Sequence, residues 1–422
     1  MSVRKVAIVG GKRVPFARSF SSYTGVTNQE LMETSLKALV EQFSLKGERL
    51  GEVALGSVIK HSSDWNLARE CTLGSGLSAE TPAYDLVQAC GTSLAATITV
   101  ANKIALGQID CGIAGGVDTN SDLPFVFSRR FAHIMLEANR EKTFTGKLKH
   151  FLNLRPGDLK PLTPGVVEPR TGLSMGQSCE LMLKEWKIPR ETQDELALQS
   201  HKSAAAAWEN GFYKDLVVPC RGLDRDNNVR GDTSLEKLAK LKPAFDRHNG
   251  TLTAGNSSAL SDGSGAVLLA SEEWAEKKGL PIMAFLTFSE TAAVNFVNAE
   301  GLLMAPSYAV PRMLKRAGLK LQDFDYYEIH EAFAGQVLCT LKAWESPEFC
   351  TQRLGLSEPL GAIDRKKMNV RGGSTALGHP FAATGARIVA GLAKILSDKG
   401  SGRGLISICT GGGMGVTAIL ER

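Results

Sequence analysis

Two stretches of this chain, one early and one near its end, run through the same order of elements. Tyr84–Ala89 reads as a strand ending at Cys90, and Gly91-Thr92-Ser93 then opens a helix of small residues that runs to about Leu106. Cys111–Gly115 follows as a strand ending in Gly115-Gly116. In the last third, Asp325–Ile329 reads as a strand ending at His330, and Gly378-His379-Pro380 opens a small-residue helix to about Leu396. Leu405–Ile408 is then a strand ending at Cys409, followed by Gly411-Gly412-Gly413-Met414-Gly415. Ala/Gly-rich helices resemble one another by composition, but a shared order of elements predicts duplication: two halves packed about a pseudo-two-fold axis. The flanking segments fit. Val6–Val9 and Val53–Ile59 read as strands, and Leu31, Leu36, Leu39 and Val40 recur at helical spacing between about Asn28 and Phe43. Pro281–Phe288 reads as a strand and Val310–Ala317 as a helix. Alternating strands and helices predict a layered α/β architecture.

Between the halves, from about Asn120 to Leu260, the chain is richer in Lys, Arg and Pro, with an irregular stretch Arg155–Arg170. This predicts an insertion placed over one half. Asn256–Gly265 reads as a Gly/Ser/Asn-rich return into the core. With 422 residues, 43% hydrophobic and 22% charged, the chain suits two or three domains and excludes a disordered or fibrous protein. Its 43 glycines are about 10% of residues against a usual ~7%, with no period to carry the surplus. The eight cysteines lack paired spacing, which argues against a zinc module or a disulfide scaffold. A charge of +5 welcomes an anionic cofactor and falls far short of a nucleic-acid footprint. The leading residues Met1–Val9 lack the pattern of a signal peptide, no run approaches a membrane span, and Leu420-Glu421-Arg422 is no peroxisomal address. A cytoplasmic location with reduced thiols is the expectation.

Cys90 between a strand and a small-residue helix predicts a nucleophile, because free N–H groups and the helix dipole lower a thiol's pKa and hold an oxyanion. His379 occupies the matching junction of the second half and is placed to act as its base. Cys409 precedes a glycine run whose amides can face a ligand. His330 sits at a third strand end, followed by Glu331-Ala332-Phe333. Ligands bind beyond the carboxyl ends of strands in such sheets, so four candidates at matching ends point to one site. Neither a Walker A sequence nor a GxGxxG fingerprint is present. Gly172-Leu173-Ser174-Met175-Gly176 matches the GxSxG pattern, but the two prolines in Pro164–Thr171 leave it without the strand a nucleophile elbow requires.

The sequence resembles the thiolase family over essentially its whole length. Asn369-Val-Arg-Gly-Gly-Ser-Thr-Ala-Leu-Gly-His379-Pro-Phe-Ala-Ala-Thr-Gly-Ala-Arg387 and Ile408-Cys409-Thr-Gly-Gly-Gly-Met-Gly415 carry the resemblance most strongly. Val87-Gln-Ala-Cys90, Leu252-Thr-Ala-Gly-Asn-Ser-Ser258 and His330-Glu-Ala-Phe333 support it. The His-Glu-Ala-Phe form, with Tyr327-Glu-Ile before it, is similar to the degradative 3-ketoacyl-CoA thiolases, including the trifunctional-complex β-subunit and bacterial relatives. Biosynthetic thiolases usually have Asn in place of this histidine. The resemblance implies an α/β, five-layered α-β-α-β-α fold with two mixed sheets and an inserted loop domain. Its expected division is an N-terminal half at 1–119, a loop domain at 120–260, a return segment at 261–276 and a C-terminal half at 277–422.

The resemblance also implies roles. Cys90 would be the acylated nucleophile, His379 its base, and Cys409 the second cysteine that shuttles a proton to or from the acetyl-CoA carbanion. His330, through a water, and His379 would hold the enolate oxygen, and the amides of Cys90 and Gly411 the second oxyanion. Coenzyme A is implied as co-substrate, with no tightly bound cofactor and no metal. Ser258 and Met175, with Gly176, match pantetheine contacts, and Arg230 a contact near the adenine nucleotide. Three positions depart from the pattern: Ser174 replaces a histidine, Lys237 a serine and Ala382 a glycine. Implied activities are acetyl-CoA C-acyltransferase or, in the alternative, acetyl-CoA acetyltransferase; a decarboxylating condensing enzyme has no need of Cys409. Implied partners are acyl-CoA and CoA, a second copy in a homodimer or homotetramer, and a hydratase/dehydrogenase α-subunit, with no nucleic acid. In Phe125–Leu154, Phe127, Phe131, Ile134, Met135 and Ala138 share one helical face. Packing on another subunit or roofing an acyl tail is preferred for it over the membrane association of the corresponding hairpin in trifunctional β-subunits.

Overall fold

The computed structural model describes residues 3–165 and 167–422. Met1, Ser2 and Val166, parts of the leading segment and of the irregular stretch, lie outside the described residues. The strands are β1 (Val6–Arg13), β2 (Ala17–Arg18), β3 (Glu52–Leu55), β4 (Ala83–Asp85) and β5 (Cys111–Asp118). They continue with β6 (Ser261–Ser271), β7 (Ala284–Ala293), β8 (Tyr326–Ile329), β9 (Arg403–Thr410) and β10 (Met414–Glu421). Helices α1 (Asn28–Gln42), α2 (Leu67–Gly74) and α3 (Thr92–Ala105) belong to the first part of the chain. The middle holds α4 (Arg129–Arg140), α5 (Phe144–Phe151), α6 (Met175–Trp186), α7 (Arg190–Glu209) and α8 (Leu235–Ala239). Then come α9 (Glu272–Lys277), α10 (Pro306–Ala317), α11 (Ala334–Glu345), α12 (Ser374–Leu377) and α13 (Thr384–Lys399).

The strands run in the order β4-β3-β5-β6-β1-β7-β10-β9-β8, with β2 on β6. The duplication is visible in this order. Outward from the β1–β7 seam, each half has two antiparallel pairings and then a parallel one: β1-β6-β5-β3 on one side, β7-β10-β9-β8 on the other. The seam itself is short, with Ala7 opposite Phe285 and Ile8 opposite Ala284. The two mixed sheets are therefore half-sheets joined at one place.

Three apolar clusters bind the layers. In the middle, Val100 and Ile104 of α3 and Val389 and Leu396 of α13 pack with Ile8 and Ala114 from one half-sheet and Ile406 and Val416 from the other. Outside the first half-sheet, Leu31 and Leu36 of α1 and Cys71 of α2 cover Val53, Ile113 and Leu268. Outside the second, Val310 of α10 and Val337 of α11 cover Leu405 and Ile419, joined by Met182 and Leu183 of α6 and Leu196 of α7. Each such Val, Leu, Ile or Met side chain contributes about 1.5–3 kcal/mol on burial. Two helices fit between the half-sheets because their first turns are small: a Cβ on Gly385 would lie 2.4 Å from the Leu94 amide nitrogen.

Several boundaries differ from the sequence reading. The return segment is not irregular after Leu260, since β6 is an eleven-residue strand buried throughout. The strand expected over Leu405–Ile408 is followed by a further one, β10, and Gly411–Gly413 form the turn of a β9–β10 hairpin. β3 stops at Leu55, and the amides of Val58 and Ile59 turn instead to the Asp118 carboxylate (2.9 and 2.7 Å). Val58 and Ile59 are thereby released from the sheet. Between the halves, α4 and α5 form a hairpin that buries Ile134 and Ala138 but leaves Phe125, Phe127, Leu136 and Phe144 exposed.

Candidate active site

Cys90 lies in a tight 3₁₀ turn, Ala89–Gly91, that leads into α3. Ala89 has φ +45°, a left-handed conformation costly for a residue with a side chain. The turn is held by Thr92, whose hydroxyl donates to the Ala89 carbonyl (2.7 Å) and accepts from the Gln88 amide (2.8 Å). Strain of this kind is kept where a side chain must be presented in one direction. His379 precedes a second 3₁₀ turn, Phe381–Ala383, before α13. Cys409 is the last but one residue of β9, and His330 follows β8 directly.

These ends converge. Cys90, His379, Cys409 and Gly411 line one cavity of about 260 Å³ with Met175 and Ser258. His330 stands behind His379, their ring centroids 4.2 Å apart. The Cys90 sulfur and one ring nitrogen from each histidine all lie within 4.8 Å of one another. Such a trio has the donor set of a soft-metal site. Both Nδ1 atoms are engaged, that of His330 with Ser374 (2.9 Å) and that of His379 with Thr384 (2.6 Å). Both Nε2 atoms are buried without a partner. A second cavity of about 240 Å³ shares Cys90, Met175, Phe381 and Gly411, and is walled by Val58, Ile59, Pro164 and Val167. The site therefore has two arms that meet at the Cys90 sulfur.

The amides of Gly411 and of Cys90 itself face that sulfur, yet the thiol's pKa is not lowered, contrary to the helix-terminus expectation. Burial outweighs both amides and pushes Cys90 up to about 12. Cys409 is raised well above the ordinary thiol value, first by burial and then by its neighbour Cys90. His379 is pushed down to about 3 by burial and secondarily by Arg387. His330 is also lowered, by burial, by His379 and by Arg387. Burial favours neutral thiols beside neutral imidazoles in the free site. Its apolar surroundings, not the helix terminus, set that state.

Residues to which the sequence reading gave no role hold this arrangement. Asn369, at φ +47°, clamps the end of β8: its side chain accepts from the Ile329 amide and donates to the Ile329 carbonyl, each at 2.9 Å. Glu331 points away from the cavity and accepts from Ser200 (2.7 Å), Asn369 (2.6 Å) and the Thr375 amide (3.1 Å). Asp118 ties both arm walls together, accepting from the amides of Val58, Ile59 and Ala382. All lie near the recognisable motifs, but their partners are distant in sequence.

The cofactor candidates divide. Met175 lines both arms and Ser258 the first, with the Ser258 hydroxyl donating to the Ala332 carbonyl (2.9 Å). Arg230 lies outside both cavities on a surface loop, its guanidinium donating to the Asn227 carbonyl (3.1 Å). Ser174 caps α6, accepting from the Gln177 amide, and has no elbow geometry. Ala382 fits at the departure from glycine, with its amide on Asp118.

A cysteine on a strained turn, an imidazole beside it and a second buried thiol are groups that acyl transfer through sulfur requires. The comparisons name the family. The profile of the thiolase N-terminal domain matches residues 6–273 and that of the thiolase C-terminal domain residues 281–422. The chain is 43% identical to a 3-ketoacyl-CoA thiolase of Pectobacterium carotovorum, covering 99% of this chain and 96% of that one. It is 42% identical to a 3-ketoacyl-CoA thiolase of Yersinia pestis, over 99% and 97%. Among solved structures, a Bacillus anthracis acetyl-CoA acetyltransferase superposes with TM-score 0.83 at 31% identity, covering 100% of this chain and 99% of that one. Human mitochondrial 3-ketoacyl-CoA thiolase in complex with CoA superposes with TM-score 0.82 at 29% identity, over 99% and 98%. The chain belongs to the thiolase family.

Proposed function

We propose that this protein cleaves 3-ketoacyl-CoA with CoA, giving acetyl-CoA and an acyl-CoA shortened by two carbons. The observation that carries the reading is that Cys90 stands where two cavities meet, with His379 and Cys409 lining one of them and His330 beside His379. One arm, past Ser258, would take pantetheine, and the other, walled by Val58, Ile59 and Phe381, the acyl tail.

His379 Nε2 takes the Cys90 proton as sulfur attacks the 3-keto carbon. The new alkoxide sits on the Cys90 and Gly411 amides, each worth on the order of 3–4 kcal/mol to the barrier. Collapse breaks the C2–C3 bond, leaving an acyl-Cys90 thioester and the acetyl-CoA enolate, whose oxygen is held by His330 and protonated His379. Cys409, kept as a thiol by burial, protonates C2. After acetyl-CoA leaves, the Cys409 thiolate takes the proton of incoming CoA, whose sulfur displaces Cys90. His379 returns its proton to the Cys90 thiolate. Acid–base steps of this kind contribute typically ~10²–10⁴-fold.

The chain has eight unpaired cysteines, as a reducing compartment keeps them, and among the described residues no helix is long and apolar enough to cross a membrane. We place the enzyme in the cytoplasm as a homo-oligomer, with a hydratase/dehydrogenase subunit as a further partner. The test is cleavage of acetoacetyl-CoA and of longer 3-ketoacyl-CoA substrates with CoA. Absence of cleavage of every substrate rejects the reading; a kcat/KM that is highest for acetoacetyl-CoA favours the acetyl-CoA acetyltransferase alternative.

A further inference from the structure

The inserted segment that walls the second arm with Pro164, Gly165 and Val167 also carries a buried carboxylate, Glu168, which the chemistry above leaves unused. Its Oε1 accepts from the Gly412 amide at 2.6 Å and lies 3.4 Å from where a Cβ on Gly411 would stand. Gly411 is the residue whose amide faces the Cys90 sulfur. A side chain of the inserted segment thus grips the oxyanion turn one residue beyond its working amide.

That turn has little stiffness of its own. It is three glycines long, with φ +78° at Gly412 and +68° at Gly413, and glycine has the most backbone freedom to lose. Where its amides point therefore depends on what the turn bonds. The Gly413 carbonyl accepts from the Val294 amide (2.8 Å), and the Thr410 hydroxyl donates to the Gly411 carbonyl (3.0 Å). Glu168 adds the hold on Gly412. A hydrogen bond to a carboxylate is roughly twice as strong as a neutral one, so this hold is the firmest of the three.

The carboxylate is itself rigidly mounted. The Glu168 carbonyl accepts from the Gly172 amide (2.8 Å) and its amide donates to the Leu173 carbonyl (2.9 Å), closing a tight loop in which Gly172 has φ +69°. Val167 pairs with Ser174 across that loop, and Ser174 caps α6 in a capping box with Gln177. The Gly172–Gly176 stretch, which is no nucleophile elbow, thus seats Glu168 on a helix end. The negative charge of Glu168 is among the causes that raise the Cys90 thiol. A neutral amide side chain would make the same bond to Gly412 without that repulsion, so substitution separates the bond from the charge.

We propose that Glu168 is a positioning residue: it anchors the Gly411–Gly413 turn through the Gly412 amide, and so aims the Gly411 amide at the oxygen of the acyl carbon bound to Cys90. The use of that amide as an oxyanion donor rests on the thiolase reading above; the anchoring does not.

Hydrogen exchange of the full chain, read by mass spectrometry on peptides spanning Cys409–Gly415, follows the Gly412 amide in the free protein. Expected is exchange ~10-fold or more faster in Glu168→Ala than in wild type, with protection returned in Glu168→Gln. Equal exchange in wild type and Glu168→Ala overturns the anchoring, whatever reaction the enzyme performs. The rate at which a simple acyl-CoA acylates Cys90, followed as an adduct by mass spectrometry, reads the aim. Glu168→Ala should slow this acylation and C–C cleavage together by ~10-fold or more, short of the ~10²–10³-fold for loss of a whole oxyanion donor. Both reactions form an alkoxide on the carbon bound to Cys90, whereas a residue serving only the proton transfer at C2 would spare acylation. Glu168→Gln should acylate at the wild-type rate or faster. Unchanged acylation in a Glu168→Ala protein that has lost Gly412 protection overturns the positioning role, and so do equal losses in the Ala and Gln variants, which assign the effect to charge. A wild-type protein that forms no adduct rejects the thiolase reading and with it the aim, leaving the exchange result to decide the anchoring. If Glu168→Ala does not fold, Glu168→Asp, one methylene too short to reach Gly412, replaces it with the same expectations.

Discussion

Gly385 offers a direct test of how the two halves hold the site in register. It lies in the first turn of α13, against the first turn of α3. A Cβ there would stand 2.4 Å from the Leu94 amide nitrogen, 2.8 Å from Ser93 Oγ and 3.0 Å from Leu94 Cβ. In an isolated helix Gly→Ala stabilises by about 1 kcal/mol. Here the nearest atom is backbone that cannot rotate away, so the helices must separate by roughly an ångström to restore ordinary contact. Overpacking of this kind costs typically ~1–3 kcal/mol, and parting the turns also stretches the Ala386 N–H to Ser93 Oγ bond, 2.8 Å long. Gly385→Ala should therefore lower stability by about 1–2 kcal/mol, against its helix propensity. The same displacement carries Thr384, and with it His379, away from Cys90. A 1 Å misplacement of reacting groups is worth about 10²-fold in rate. Urea denaturation and kcat for cleavage measure the two effects. A variant more stable than wild type with unchanged kcat would refute the close crossing.

Cys409→Ala should keep acylation of Cys90 by a simple acyl-CoA, seen as an adduct by mass spectrometry, but lose C–C cleavage by ~10²-fold or more; equal loss of both would contradict the proton shuttle. Because Cys90 is pushed up to about 12, its thiolate fraction in the free enzyme should grow about tenfold per pH unit throughout the neutral and mildly alkaline range. The iodoacetamide rate should climb accordingly, and a plateau reached by neutral pH would show a pre-ionised thiol instead. Val58 is 38% exposed on the wall of the second arm, so Val58→Trp should narrow that arm. Expected is a fall in kcat/KM for long-chain 3-ketoacyl-CoA of ~10-fold or more with little change for acetoacetyl-CoA, on the scale of a few kcal/mol per misfitted side chain. Parallel loss for both substrates would remove the acyl tail from that arm.

The legible parts of this molecule were those with a local signal. α1 carries a capping box, Thr27 with Glu30, ahead of a periodic apolar face, and its observed range is within one residue of the expected one. Cys90 and His379 stand at chain turns marked by small residues and glycine, which repeat in both halves. β6 and β10 escaped because strands buried on both faces need no alternation. The former, Ser-Asp-Gly-Ser-Gly-Ala-Val-Leu-Leu-Ala-Ser, begins with what elsewhere would be loop residues. The apolar side of α4 was legible in the sequence, and Ile134 and Ala138 on it are buried while Met135 is exposed; what covers such a side chain is not a property of the helix.

Sequence alone pointed to the duplication, the α/β grammar and the four side chains that the fold brings together, because each depends on residue type and order along the chain. Tertiary structure decided their chemical state. Helix-terminus reasoning lowers the Cys90 pKa, whereas dehydration between two half-sheets raises it, and the second effect is larger. It also decided what orients the two histidines, Ser374 on His330 and Thr384 on His379, side by side only once β8, α12 and α13 are packed together. Residue identity is written locally; desolvation and hydrogen-bond partners belong to the assembled core.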